Sequence, residues 1–371
     1  MDLVTLNENY QPAKLVENYS SLIWTERFNT VGDFQITTGD VKRFMNLLPE
    51  GTVVSLRESN VPMIVETHQI DRKKNQPQVL TIKGRSFEKI LSHRVAVSAI
   101  AASASDWAVV AKIPSDVAYF IINKICVEGI LDSKDIFPSG KVQFLPPSDY
   151  LSSTGPNRQF SVPKGNLLTA VLTLIQTESK ADATTTPATP AVVQKGIRAV
   201  RPNSSGTAIG IEFYTGTDRT AEIYFDGTRQ LLDDGSYLFS KQGSASNAYI
   251  LGPSTAAKLA KSATDPSGFD RRVILVDGTT SGVSDANALK AQAEISLTEA
   301  RETAIFNGTI NQAINPYVYG IDYFLGDTVR LVGDYGIYQK VRVTEFIRSE
   351  DASGSRAYPT LVDVTNTVSG E

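Results

Sequence analysis

The first hundred residues are a close succession of short alternating segments. "LVTL", "SLIWTERF", "DFQITT", "TVVSLRE", "PMIVETHQI" and "PQVLTIKGR" follow one another with turn residues between them. Gly32-Asp33, Gly39-Asp40 and Pro49-Glu50-Gly51 are the punctuation. Period-2 alternation bounded by Gly, Pro, Asn and Asp reads as β-strands, and many short strands at this spacing indicate a small barrel or sandwich. In "SLIWTERF", Leu22, Trp24 and Phe28 are expected on one face and Ile23, Thr25 and Arg27 on the other. In "DFQITT", Phe34 and Ile36 share a face. A short helix is expected from Ser86, in "SFEKILSHR".

The character then changes. "PSDVAYFIINKICVEGIL" reads as a helix with Ser115 as N-cap and Gly129 as its stop, its inner face running Val117, Phe120, Ile121, Lys124 and Ile125. "GNLLTAVLTLIQTES" reads as a second helix, with Leu168, Val171, Leu172 and Ile175 on one stripe. A Pro- and Ser-rich loop separates them. Residues 181–192, "ADATTTPATPAV", are of low complexity and read as an exposed loop or linker. Strands return in "IGIEFYT", "TAEIYFDG", "SYLFSKQ", "NAYILGP" and "RRVILVDG". A long helix is expected over 285–305 with Ser284 as N-cap. "DTVRLVG", "YGIYQKVRVTEFIRS" and "YPTLVDVT" are strands again.

The chain of 371 residues is too long for one core. The expected division is a first β-barrel at 1–100, a helix-containing insert at 101–195, a mixed α/β part at 196–310, and strands of a second barrel at 311–371. The fold class is mainly β, with two similar small barrels at the chain ends and α/β insertions between. The similarity of the ends is an internal echo. Gly51, Val54 and Leu56 have the spacing of Gly326, Val329 and Leu331, and each run leads into an alternating strand carrying a Glu.

A net charge of -4 with no basic stripe argues against sequence-specific or phosphate-driven nucleic-acid binding. No segment approaches the roughly 20 apolar residues of a membrane span, and no signal peptide is evident. Cys126 is the single cysteine, so no intrachain disulfide forms; it reads as a small apolar helix residue, and the chain suits folding in a reducing bacterial cytoplasm.

His68 and His93 stand in different segments without further ligands at metal spacing, so neither metal nor cofactor is expected. No nucleophile elbow or phosphate-binding loop occurs. Asp322 and Asp327 could serve as a convergent acid pair, but Asp327 reads better as a turn residue entering a strand. The aromatic clusters "NPYVYGIDYF" and "GDYGIYQ" fit a barrel core and rim, or a sugar-binding face. No catalytic residues are assigned and no enzymatic activity is expected.

The residues in order resemble those of phage tail hub proteins, the tail-associated (Tal-type) minor tail proteins of long, non-contractile-tailed phages. The resemblance lies in the aromatic and charged hairpin ending in Gly-Asp-Phe, a Gly-led strand, and an apolar strand running into Gly-Arg and a short helix. Trp24, Arg27, Phe28, Gly32, Phe34, Gly51, Gly84, Arg85, Leu91 and Arg94 carry it. At the other end "YFLGDTVRLV", with Gly326 and Asp327, is similar to the start of the family's second barrel.

The resemblance implies a homotrimer at the tail tip of the virion, related in fold to the baseplate hub of contractile tails. Its implied partners are the hexameric distal tail protein, the tape measure protein and further tail-tip or fibre proteins. It would close the tube and open for DNA ejection. The same residues would suit the hub of a tail-like bacteriocin or injection machine. A carbohydrate-binding or wall-degrading tail-tip protein is the alternative. Trp24 and Phe28 are expected inside the first barrel, with Glu26 and Arg27 an exposed pair on or near a subunit surface. The chain stops soon after its last strand, so wall digestion and receptor binding are expected on other chains.

Overall fold

The computed structural model describes residues 1–97, 107–111, 113–148, 158–162, 164–176, 179–180, 191–192, 195–203, 206–226, 231–251, 258–261, 265–277, 293–294, 296–297, 300, 303–310, 314–332 and 338–363. Strands dominate. The N-terminal ones are β1 (Leu3–Leu6), β2 (Pro12–Leu15), β3 (Ser21–Arg27), β4 (Asp33–Thr38), β5 (Val53–Leu56), β6 (Pro62–Asp71) and β7 (Val79–Ser86). The expected segments are all present. Two elements lie outside the expectation: β2, and helix α1 (Val41–Leu47), which Asp40 caps by accepting from the Arg43 amide at 3.3 Å.

One sheet runs through both ends of the chain. Its order is Leu232–Ser240, Thr303–Ile310, Gly354–Asp363, Tyr338–Asp351, β3, β4, β7, β6, β5, β1, β2. Thr328–Val332 pairs with Tyr338–Asp351 and, on its other side, with Tyr224–Asp226. The two terminal barrels expected from the sequence are therefore joined into one continuous sheet by β3 and Tyr338–Asp351, and among the described residues no closed barrel forms.

The internal echo is present in the backbone. Gly51 and Gly326 both take a positive φ, +83° and +87°. The Gly51 amide donates to the Val65 carbonyl and the Val65 amide to that of Thr52. The Gly326 amide likewise donates to Val343 and the Val343 amide to Asp327. Each valine is followed by a register shift against the next strand, between Val65 and Thr67 and between Val343 and Glu345. A bulge at the same place in both copies is a designed bend, not noise.

The correspondence extends strand by strand. The sequence β3, β4, β7, β6, β5, β1 in the sheet matches Leu232–Ser240, Thr303–Ile310, Gly354–Asp363, Tyr338–Asp351, Thr328–Val332, Tyr224–Asp226, and the chain order matches too. One pairing differs in sense: β1 is antiparallel to β5, whereas Tyr224–Asp226 is parallel to Thr328–Val332.

Each half has its own core. Leu3, Leu22, Trp24, Phe34, Ile36, Phe44, Leu56 and Ile82 fill the N-terminal one. Phe225, Tyr323, Val329, Val343, Phe346 and Leu361 fill the C-terminal one. Phe28, expected beside Trp24, belongs to this second core, because the strand ends at Arg27 and the next residue turns across the junction.

A third core holds the insert. Helices α2 (Pro114–Ile122) and α3 (Leu167–Gln176) pack on strands Lys195–Val200 and Ile209–Thr215 and on the 3-10 helix Phe87–His93. The expected boundary at 195 thus falls inside the first of these strands. α2 continues into a wider helical turn at Asn123–Val127 and stops at Gly129, φ +62°. Ser115 is not its cap: the helix starts at Pro114 after Ile113, and the buried Ser115 hydroxyl accepts from Lys195 Nζ at 3.0 Å.

A fourth, smaller core joins Ala248 and Ile250 to Ala293 and Leu297. The helix expected over 285–305 lies largely outside the described residues; its last residues are in strand Thr303–Ile310. Residues 181–190 of the low-complexity segment also lie outside them, and 191–192 pair with 179–180. Among the described residues no helix is long and apolar enough to cross a membrane.

Candidate functional site

Three parts of the fold meet around the end of β3. On one edge β3 pairs with β4, Trp24 opposite Phe34, and the two rings stack with centroids 5.7 Å apart. On its other edge it pairs with the C-terminal strand, Arg27 opposite Glu345, Glu26 opposite Phe346 and Trp24 opposite Arg348. The insert approaches from β7 and the 3-10 helix.

Glu26 is buried in this junction and fully engaged. Its Oε1 accepts from Arg348 Nη1 at 2.9 Å and from Trp24 Nε1 at 3.2 Å; its Oε2 accepts from the Tyr319 hydroxyl at 2.9 Å. The Tyr319 ring stacks on Phe346, with centroids 3.8 Å apart, and the Arg348 guanidinium lies over both rings. Burial, then the Glu26 carboxylate, hold the Tyr319 phenol well above its ordinary range, so it stays a donor. Glu26 and Arg27 are therefore not an exposed pair: Glu26 is buried on the face it shares with Leu22 and Trp24, and the C-terminal strand, paired along the edge of β3, supplies a charged partner to each of them. Arg27 bridges instead, its Nε to Glu345 and its Nη1 to Asp33, both at 2.6 Å.

A second buried carboxyl sits nearby. Glu88 accepts from the Ser86 hydroxyl and, at 3.2 Å, from the Ala199 amide of the insert. The Ser86 hydroxyl in turn accepts from the Gly32 amide at 2.8 Å. Burial pushes the Glu88 carboxyl up to about 7, against the pull of these hydrogen bonds. Glu26, Arg27, Ser86, Glu88, Arg198 and Tyr319 line a small cleft with about 20 Å³ of free space, room for about one water.

The other residues singled out from the sequence are distributed around this junction. Gly84 lies under the Phe34 ring, where a Cβ would collide with that ring and with the Ile64 carbonyl. Gly326 lies against Phe28, its ring 2.6 Å from where a Cβ would stand. Asp327 is buried, its Oδ1 accepting from the Thr217 amide at 2.7 Å and its Oδ2 from Arg219 Nε at 2.7 Å and the Phe324 amide at 3.0 Å. Asp322 accepts from the Val318 amide at 2.7 Å, so each of the two aspartates serves its own turn.

Arg85 is exposed, 3.7 Å from Glu66. Arg94 ties the 3-10 helix to Asp135 and lies over Phe137. Gly51 stands in the turn before β5, where its amide donates to the Val65 carbonyl. His68 bonds the Leu48 carbonyl at 2.7 Å. Cys126 is buried, and burial pushes its thiol up to about 12. Among the described residues no cluster of metal-ligating side chains occurs.

Glu88, Arg348 and Tyr319 were missed by sequence reasoning. Glu88 carries one legible signal: it stands three residues before Leu91, which puts both on the same face of a 3-10 helix, and both are buried. The whole arrangement is a joint. It fastens the chain ends and the insert through buried, directional bonds.

The chain matches the family described as Siphovirus ReqiPepy6 Gp37-like protein over residues 3–361. No curated protein matches it. Among solved structures, its fold is similar to the 43 kDa tail protein of prophage MuSo2 from Shewanella oneidensis, at TM-score 0.59 and 11% identity, covering 98% of each chain. The tail protein from Neisseria meningitidis MC58 matches at TM-score 0.58 and 13% identity, covering 98% of this chain and 96% of that one. Prophage tail protein gp18 from Listeria monocytogenes EGD-e matches at 0.56 and 11%, covering 99% and 96%.

Proposed function

The chain belongs to the Siphovirus ReqiPepy6 Gp37-like family, and from that membership we propose that it is a structural phage tail protein, the hub of the tail tip. Three copies close the end of the tail tube below the hexameric distal tail ring. They contact the tape measure protein inside and further tip or fibre proteins outside. The hub works without catalysis: it is a plug that opens when the tip engages a host, so that DNA can leave.

The observation that carries this reading is the repeated strand unit. Three chains with two units each present six similar modules, which can meet a sixfold ring on one side while keeping threefold symmetry on the other. Closed cyclic assembly is the rule for homo-oligomers. The full-length likeness in fold to three prophage tail proteins supports the same setting. The buried joint around Glu26 suits a part that must transmit force between its two units without coming apart.

Cryo-electron microscopy of intact and DNA-emptied tails tests it. The expected result is a threefold hub under the distal ring, closed before ejection and open after it. A hub that is closed in emptied tails would refute the opening, and its absence from the tube end would refute the position.

A further inference from the structure

Within the chain, the two repeated units are joined by β3 lying along the free half of Tyr338–Asp351. The repeat gives this contact a second instance. Gly84 and Leu361 stand opposite the two equivalent valines, Val65 and Val343. Phe34 pairs with Gly84 as Phe306 pairs with Leu361, and Trp24 pairs with Phe34 as Tyr237 pairs with Phe306. Strand Leu232–Ser240 is therefore the counterpart of β3, and β6 that of Tyr338–Asp351.

Among the described residues both counterparts have an open edge. Leu232–Ser240 ends the sheet and pairs only with Thr303–Ile310. β6 pairs with β5 only through Pro62–Ile64, which leaves that side unpaired from Thr67 onward. The counterpart strands lie at separate places in the sheet path, so a second copy of the chain is what can bring them together.

Exposure tells the same story. Thr25 and Glu26, in the filled junction, are 4% and 5% exposed. Their counterparts Leu238 and Phe239 are large, apolar, and 55% and 48% exposed. Across the junction, the Arg348 side chain is largely covered, whereas its counterpart Ile70 is 48% exposed. An open strand edge with exposed apolar side chains on both faces is a template for pairing with another chain.

We propose that Leu232–Ser240 of one copy pairs antiparallel with β6 of the next copy. Thr67 then stands opposite Ser240, His68 opposite Phe239, Gln69 opposite Leu238 and Ile70 opposite Tyr237. The contact is head-to-tail and closes into a ring when the rotation permits. This inference rests on the trimer reading above and gives it an interface.

Disulfide trapping tests it on the full chain. Cys126 is buried and should stay silent. Opposed residues in an antiparallel pair have Cα atoms about 4.5–5.5 Å apart, within disulfide reach. Mixing a Gln69→Cys protein with a Leu238→Cys protein should give a reducible dimer. The double variant should give a covalent trimer, and Gln69→Cys with Phe239→Cys, on opposite faces, little product. A native trimer by light scattering without these links overturns the pairing and leaves the trimer. A ladder beyond the trimer supports the pairing and overturns the closed ring. A single-chain mass at every concentration, with no link, overturns both.

Discussion

Replacing Glu88 with glutamine should remove a pH dependence from the stability of the fold. The carboxyl is buried between Ser86 and the Ala199 amide, faces Glu26, Arg27, Arg198 and Tyr319 across the cleft, and is pushed from an ordinary 4.5 to about 7. A raised carboxyl favours its neutral form in the folded state. Its contribution is fully present below about pH 4.5 and is lost as pH rises through about 7. About 2.5 pH units at 1.36 kcal/mol each makes the loss about 3 kcal/mol.

Glutamine reproduces the neutral acid: its amide can donate to Ser86 while its oxygen accepts from Ala199. Urea unfolding followed by tryptophan fluorescence, at a series of pH values from 4 to 8, gives the wild-type-minus-variant difference, in which the other carboxylates cancel. The difference should shift against the wild type by about 3 kcal/mol across that range. Parallel curves for the two proteins would refute the reasoning, because they would mean that Glu88 does not change its charge there.

Further outcomes follow from the same joint and its surroundings. Arg348→Met leaves Glu26 buried without its cation and should cost about 3–5 kcal/mol by urea unfolding; Glu26→Gln in the same chain should restore part of it. Trp24→Ala empties the centre of the N-terminal core and should cost about 3–5 kcal/mol, seen as a lower yield of folded, assembled protein. Unchanged yield would contradict that packing. Gly84→Ala has no space for its methyl between the Phe34 ring and the Ile64 carbonyl, so soluble expression should fall sharply, while Gly140→Ala, where nothing lies within 4 Å and only φ is strained, should fall less.

The N-terminal strands were legible because each alternates cleanly between apolar and polar residues and ends in a turn residue. β2 was not: "PAKL" is exposed throughout and carries no alternation to read. "TEARETAIF" continues the composition of the helical stretch before it, so the sequence alone carries a helix into 303–305, and only pairing with Leu232–Ser240 fixes Thr303–Ile310 as strand. The echo of Gly51 and Gly326 was visible because a left-handed turn selects glycine, and the apolar alternation after it is local. What joins the two units was not visible. The pairing of Glu26 with Arg348 spans almost the whole chain, and although alternation puts Glu26 on the face of Leu22 and Trp24, nothing near it in sequence shows what would neutralise a carboxylate there. Buried charge is recognised only once the strand that covers it is known.

The central claim is that this chain assembles by its repeated unit into a closed ring of three. Light scattering on the full chain across a concentration series measures this most directly. A mass of three chains, stable on dilution, is the expected result. A mass of one chain at every concentration, or of two, would contradict it.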